Sequence, residues 1–208
     1  FSENLDNMKA KVLLLFFTVS LIFGCKKGEN DPVFSLKSRK ARLTGVWVVE
    51  SAEWLSADTT WIFDGSKLTR TDTNSIDVVD YSSKMEFDAA GNYVTTMITT
   101  YPIDNPDTTL SGVSCELVES GLWNFTGGAG TTKTKSELLL LSSKTEEICS
   151  DQPASVNTVS VTGQNRGVVY TIDRLSDKEL LLMYGTEVAS VNGTNIRTAK
   201  IILKKEGN

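Results

Sequence analysis

Alternation between apolar and polar residues is the dominant pattern of the chain after residue 43. In residues 81–87, Tyr81, Met85 and Phe87 fall on one face of an extended segment, and polar side chains take the other. Similar segments elsewhere contain many β-branched and aromatic residues, which strands favour. The pattern predicts ten strands, at residues 45–55, 59–63, 81–87, 93–101, 120–125, 137–141, 158–162, 168–175, 179–184 and 195–204.

The joins between these strands contain turn-forming residues. Residues 88–92, 126–130 and 163–167 each combine glycine with other small or polar residues. No segment after the first 25 residues has the periodicity of a helix of three turns. About eight to ten antiparallel strands with short joins predict one all-β domain, built either as a closed barrel or as a two-sheet sandwich.

The first 25 residues have a different character. Lys9 and Lys11 precede an apolar run at residues 12–23, which is short for a membrane span and has the order of a secretion signal. The run ends in Leu21-Ile-Phe-Gly24-Cys25, which resembles the lipobox of bacterial lipoproteins. The resemblance implies that residues 1–24 are upstream residues plus a signal peptide and that Cys25 is lipidated. The alternative is a buried free cysteine at the end of an apolar helix.

Residues 25–42 are rich in small and polar residues and predict a flexible tether, with the domain spanning residues 43–205. We interpret the basic cluster Lys37-Ser-Arg39-Lys40-Ala-Arg42 as part of this solvated spacer. Lys26, rather than aspartate, follows the lipidated cysteine, so the lipoprotein resemblance favours the outer membrane. Both its periplasmic and its surface face remain open.

Composition argues against several functions. A formal net charge of −5 argues against a nucleic-acid partner, which would require a basic patch. The chain has no histidine, which removes Ser–His triads, Cys–His dyads and the commonest transition-metal ligand. We therefore expect no enzymatic activity, no catalytic residues, no cofactor and no metal.

Carboxylates are the remaining candidates for catalysis. Asp72, Asp77 and Asp80 could form a glycosidase-type pair or a calcium site. The segment lacks the ligand spacing and central glycine of an EF-hand loop, so a solvated turn is the preferred interpretation.

Cys115 and Cys149 are the cysteines that remain after Cys25. Both lie in polar surroundings, and an exported protein meets an oxidising compartment in which such a pair can bridge. We predict a disulfide between them, with two separate buried thiols as the alternative.

Gly45-Val-Trp47 on the first predicted strand resembles the Gly-x-Trp motif that opens lipocalins. Leu43-Thr-Gly45-Val-Trp47 is similar to the opening of lipocalin-like lipoproteins of Bacteroidetes-type bacteria. This resemblance implies an up-and-down barrel of eight strands around a cavity for a small apolar ligand. It also implies that Trp47 closes one barrel end beneath a basic side chain of the last strand, for which we expect Arg197, with Lys204 as the second choice.

Two functions follow as hypotheses. The first is a lipid-anchored, monomeric envelope protein that binds a small apolar or amphipathic molecule inside the barrel. The second is a surface module that binds glycan or protein through exposed aromatic residues, without an internal cavity. The candidate ligand-binding residues are Trp54, Trp61, Met85, Phe87, Tyr93 and Trp123.

Overall fold

A computed structural model of the 208-residue chain describes residues 37–102, 112–127, 136–150, 157–160, 166–190 and 193–207. The predictions for Cys25 and for residues 1–24 fall outside these residues. The described part contains one short helix, α1 (Arg39–Leu43), and eleven strands. The strands are β1 (Gly45–Ser56), β2 (Thr59–Phe63), β3 (Lys67–Thr71), β4 (Ile76–Phe87), β5 (Asn92–Thr100), β6 (Ser114–Thr126), β7 (Glu137–Cys149), β8 (Asn157–Ser160), β9 (Arg166–Leu175), β10 (Glu179–Ser190) and β11 (Gly193–Lys205).

The strands form one antiparallel sheet that closes into a barrel. Hydrogen-bonded ladders connect β1 to β7 in chain order, continue through β9, β10 and β11, and return to β1. Strand β8 pairs with β7 outside this ring. The predicted all-β antiparallel barrel is therefore confirmed over the two-sheet sandwich, but the barrel has ten strands, so the preferred number of eight is wrong.

The extra strands are the hairpin β2–β3. At one end of the barrel β1 pairs directly with β4, with Gly45 opposite Phe87. Further along, β1 instead pairs with β2, and β4 pairs with β3. Eight strands consequently surround one end of the barrel and ten surround the other. The sequence pattern missed β3 because Lys67–Thr71 contains one apolar residue and has no clear alternation.

The narrow end is packed solid. Trp47, Phe87 and Leu43 are fully buried there, and leucines from four strands fill the space between them. Phe87 meets Trp123 edge-to-face, with ring centroids 5.9 Å apart. The buried leucines are Leu138, Leu175, Leu180, Leu182 and Leu203.

Helix α1 covers this narrow end. Ser38 begins the helix by accepting a hydrogen bond from the backbone N–H of Ala41. Arg42 is buried and donates from its guanidinium to the backbone carbonyl of Leu175. Arg39 lies over the ring of Phe125 at 5.9 Å. Residues 39–42 therefore belong to the folded domain, and their assignment to a solvated tether is wrong, because both arginines pack against the barrel.

Candidate functional site

A cavity of about 480 Å³ occupies the wider part of the barrel. Its size falls in the range of small-molecule sites, which run from roughly 300 to 1,000 Å³. Its walls are mainly apolar, with hydroxyl groups and one carboxyl group among them. The lining residues are Val49, Trp54, Tyr81, Ser83, Met85, Tyr93, Thr95, Met97, Glu119, Leu140, Ser142, Thr145, Val168, Tyr170 and Ile201.

Among the described lining residues, Glu119 is the one with a carboxyl group. It lies on β6, in the inward-facing series that also contains Gly121 and Trp123. Its Oε1 accepts a hydrogen bond of 2.6 Å from the Tyr93 hydroxyl. Among the described residues no lysine or arginine forms an ion pair with it. The cavity therefore has a negative wall that no cation of the described protein neutralises.

Gly121 sets the position of the Tyr93 ring. The two residues are cross-strand partners on β6 and β5. A Cβ on Gly121 would lie 2.9 Å from Tyr93 Cε1 and 2.0 Å from the carbonyl oxygen of Leu141. Because Gly121 has no Cβ, the Tyr93 ring can lie against β6. Its hydroxyl then reaches Glu119, which is two residues before Gly121 on the same strand.

Three tyrosines line the same cavity as this carboxyl group, and the pKa of each is raised by its environment. Burial, together with the hydrogen bond to Glu119, raises the pKa of Tyr93 far above its ordinary value of 10.0. Burial, followed by the charges of Glu119 and Tyr184, raises the pKa of Tyr170 to about 12. Burial also raises the pKa of Tyr81. All three stay neutral near pH 7 and present hydroxyls and ring faces to the cavity.

The six predicted ligand-binding residues divide into three groups. Trp54, Met85 and Tyr93 line the cavity. Trp61 pairs across strands with Trp54 but is not among the lining residues. Phe87 and Trp123 are not among the lining residues of this cavity, because they pack together at the narrow end.

Sequence reasoning missed Glu119, Tyr81 and Tyr170 as cavity residues. The predicted strand at 120–125 began one residue too late to include Glu119. The period of two, extended backward from Trp123 through Gly121, places Glu119 on the inner face. An acidic residue at an inward position of a barrel strand was the available signal.

The narrow end contains a closing arrangement built around Trp47. Lys205 Nζ lies 5.1 Å from the centre of the Trp47 ring and donates to the carbonyl oxygens of Arg42 and Thr44 at 2.7 and 2.6 Å. Gly45, at φ +126°, leaves the space that Lys205 crosses, since a Cβ there would lie 2.8 Å from Lys205 Cε. Trp47 Nε1 donates to the Leu43 carbonyl at 2.7 Å. Leu43, Gly45 and Trp47 thus all contribute to closing the narrow end of the barrel.

The expected basic partner of Trp47 was the wrong residue. The register between β1 and β11 pairs Trp47 with Lys205, whereas Arg197 lies opposite Ser56 at the other end of the ladder. Lys204, the second choice, points outward and forms a 2.7 Å ion pair with Glu179. The error arose because the register of β11 against β1 decides which residue lies opposite Trp47, and the pattern along one strand does not contain that register.

The disulfide between Cys115 and Cys149 is confirmed. The two cysteines are cross-strand partners on β6 and β7, with Cα atoms 4.0 Å apart. Glu147 lies close to both sulfur atoms, but bridged cysteines have no thiolate to offer a metal ion. This group is a structural link between two strands.

The aspartates proposed as catalytic carboxylates have structural partners. Asp72 accepts hydrogen bonds from the backbone N–H groups of Asn74 and Ser75, which lower its pKa. Arg70 pairs with Asp72 and with Asp77 at 2.8 and 3.1 Å. Asp80 is a surface partner of Lys67 at 2.6 Å. These contacts favour turn and surface roles over a carboxylate pair facing a substrate.

A larger concavity, of about 810 Å³, lies on the outside of the narrow end. Its walls include Lys40, Gly91, Leu122 and Trp123. Its wall includes Gly127, where the described part of the chain is interrupted, so we assign it no role.

Comparison of the chain with protein-family models and with curated proteins gives no match. Among the described residues, no helix has the length and apolar content needed to cross a membrane. Any functional assignment therefore rests on the barrel's own geometry, and its central feature is a cavity with one carboxylate and several aromatic side chains.

Proposed function

We propose that this chain is a lipid-anchored cell-envelope protein, of lipocalin-like type, that binds a small amphipathic molecule inside its barrel. The observation that carries the proposal is the division of the barrel interior. The narrow end is filled by side chains, and a cavity of about 480 Å³ lies in the wider part. A barrel that served only as a scaffold would gain stability by filling that space, because unfilled apolar volume is costly.

The composition of the cavity wall favours an amphipathic ligand over a purely apolar one. Val49, Leu140 and Ile201 offer apolar contact, whereas Ser83 and Thr95 add hydroxyl groups. Pockets for small molecules commonly combine apolar walls with a few polar groups that fix orientation. The anchor and the envelope location come from the resemblance of residues 21–25 to a lipobox and belong to the same proposal.

The aromatic residues support internal binding over the surface-module hypothesis. Trp54, Tyr93 and Tyr170 face the cavity. Trp47 and Trp123 are buried in the core of the narrow end. A module that recognised glycan or protein through aromatic residues would present these rings on its outer surface.

The test is to block the cavity. Thr145 lines it, and the adjacent residue Lys144 is exposed. We expect Thr145→Trp to abolish binding of the neutral apolar dye N-phenyl-naphthylamine and to eliminate any small molecule that mass spectrometry finds with the purified wild-type protein. Lys144→Trp adds the same ring outside and should leave both unchanged. If wild type binds no dye and retains no molecule, internal binding is wrong and the surface-module hypothesis replaces it.

A further inference from the structure

We infer that the cavity selects a ligand with a cationic amine or ammonium head group, which Glu119 binds among the surrounding aromatic rings. This inference rests on the proposed function and narrows it to one class of amphipathic molecule. The alternative head groups are neutral hydroxyl and anionic carboxylate.

The first argument is the balance of charge. Glu119 carries a carboxyl group on the cavity wall, and none of the lining residues that the structure describes is a lysine or an arginine. Glu119 is half-buried, and opposite charges attract each other more strongly there than in bulk water. The Tyr93 hydroxyl supplies one hydrogen bond at 2.6 Å but no positive charge. A ligand ammonium would supply the missing charge, whereas an anionic head group would meet repulsion.

The second argument is the aromatic content around the carboxylate. Trp54, Tyr81, Tyr93 and Tyr170 all line the same cavity. The faces of aromatic rings carry partial negative charge and attract cations, most strongly where water is excluded. The negative field of Glu119 also reaches Tyr170 on β9, two strands away in the ring, since the charge of Glu119 contributes, after burial, to the raised pKa of Tyr170.

The third argument is that the carboxylate is held in a defined position. Gly121 allows the Tyr93 ring to lie against β6, and this ring aims its hydroxyl at Glu119. Tyr93 is almost fully buried, so its ring is constrained by the packing around it. A prearranged acceptor loses less entropy on binding than a mobile one, which favours selectivity for the head group.

The experiment compares three ligands that share one chain length: octylammonium, octanol and octanoate. Isothermal titration calorimetry on the full chain should show octylammonium binding tightest and octanoate weakest. Glu119→Gln keeps the shape of the side chain and removes its charge. It should weaken octylammonium binding about ten- to a hundredfold, leave octanol within about twofold, and strengthen octanoate binding.

Glu116→Gln is the matched control, because Glu116 lies on the outer face of the same strand and carries the same charge. It should change none of the three affinities. The inference is overturned if the three ligands bind wild type equally, or if Glu119→Gln and Glu116→Gln weaken octylammonium binding alike. Equal binding that Thr145→Trp still abolishes refutes only the head-group selectivity. Absence of binding by all three ligands and by N-phenyl-naphthylamine refutes the proposed function as well.

Discussion

Gly121 is a position where a single added methyl group should destabilise the fold strongly. A Cβ at this position would lie 2.0 Å from the Leu141 carbonyl oxygen and 2.9 Å from the Leu141 carbonyl carbon. Both are backbone atoms of the neighbouring strand β7, so no side-chain rotation relieves the contact. In Gly121→Ala, β6 and β7 must therefore separate near this point, where the ladder already has an irregularity between Ser120 and Gly121.

The size of the effect follows from what the separation disrupts. Overpacking of a core by one methyl group costs roughly 1–3 kcal/mol. A weakened ladder hydrogen bond adds about 1 kcal/mol. We expect Gly121→Ala to lower the free energy of unfolding by about 3 kcal/mol. With a urea dependence of about 2 kcal/mol per molar, the midpoint of unfolding should fall by about 1.5 M.

Gly185→Ala is the matched control. Gly185 also lies within a strand, but a Cβ there meets no atom within 4 Å. Alanine is favoured over glycine in a strand interior by roughly 0.5–1 kcal/mol, so this variant should be as stable as wild type or slightly more stable. Urea unfolding followed by tryptophan fluorescence measures both variants. The reasoning is refuted if the two variants unfold within about 0.5 kcal/mol of each other.

Three further predictions concern the bridge, the tyrosines and the narrow end. Reduction of the Cys115–Cys149 disulfide, which closes a segment with a sequence separation of 34, should lower the free energy of unfolding by about 2–4 kcal/mol in urea titrations with and without dithiothreitol. Tyr93 and Tyr170 have raised folded-state pKa values, so their contribution to stability is complete below pH 10 and is lost as the pH rises through about 12 for Tyr170. Ultraviolet titration of tyrosinate should show late ionisation that becomes ordinary in urea. Lys205→Met should cost about 3 kcal/mol in urea unfolding, because it leaves two backbone carbonyls without their charged donor and removes the cation above Trp47.

Each of these three predictions would be contradicted by a specific result. A reduced protein that unfolds within about 0.5 kcal/mol of the oxidised form would show that the ladder between β6 and β7 needs no covalent link. Tyrosines that all ionise near pH 10 in the folded protein would contradict the buried cavity wall. Lys204→Met is the control for Lys205→Met, because Lys204 is exposed and its surface ion pairs contribute about 0–1 kcal/mol. Equal losses from the two lysine variants would refute the role of Lys205 in closing the barrel.

The barrel could be predicted because apolar and polar residues alternate along a strand according to whether they face the core or the solvent. The second half of β4 alternates between core and solvent, and Asp88-Ala-Ala-Gly91 marks the turn that follows it. The Asn92 side-chain amide donates to Asp88 at 2.6 Å and does most to lower its pKa. The backbone N–H groups of Asn92 and Gly91 donate at 2.8 Å, lower the pKa further and hold the turn. Local chemistry of this kind is visible in sequence.

The number of strands, the residues at the centre of the cavity and the basic partner of Trp47 were harder to predict from the sequence. Lys67–Thr71 forms β3 because its backbone pairs with β2 and β4, and a hydrogen-bonded ladder leaves little trace in side-chain polarity. Arg197 and Lys205 are both basic residues of the last strand, and only the register across to β1 decides which one reaches Trp47. Pairing between distant segments determines these features, and a pattern along one segment does not contain that pairing.

The pairing of the first strand with the last affects how the chain reaches its fold. β1 and β11 are joined along most of their lengths although Trp47 and Lys205 stand at opposite ends of the domain sequence. The ring cannot close until β11 has been synthesised, and contacts between such distant segments make folding slow. A chain truncated before Gly193 leaves β1 and β10 each with an unpaired edge that another chain can join. Strand β11 thus decides whether a newly made chain closes its barrel or keeps two edges open to aggregation.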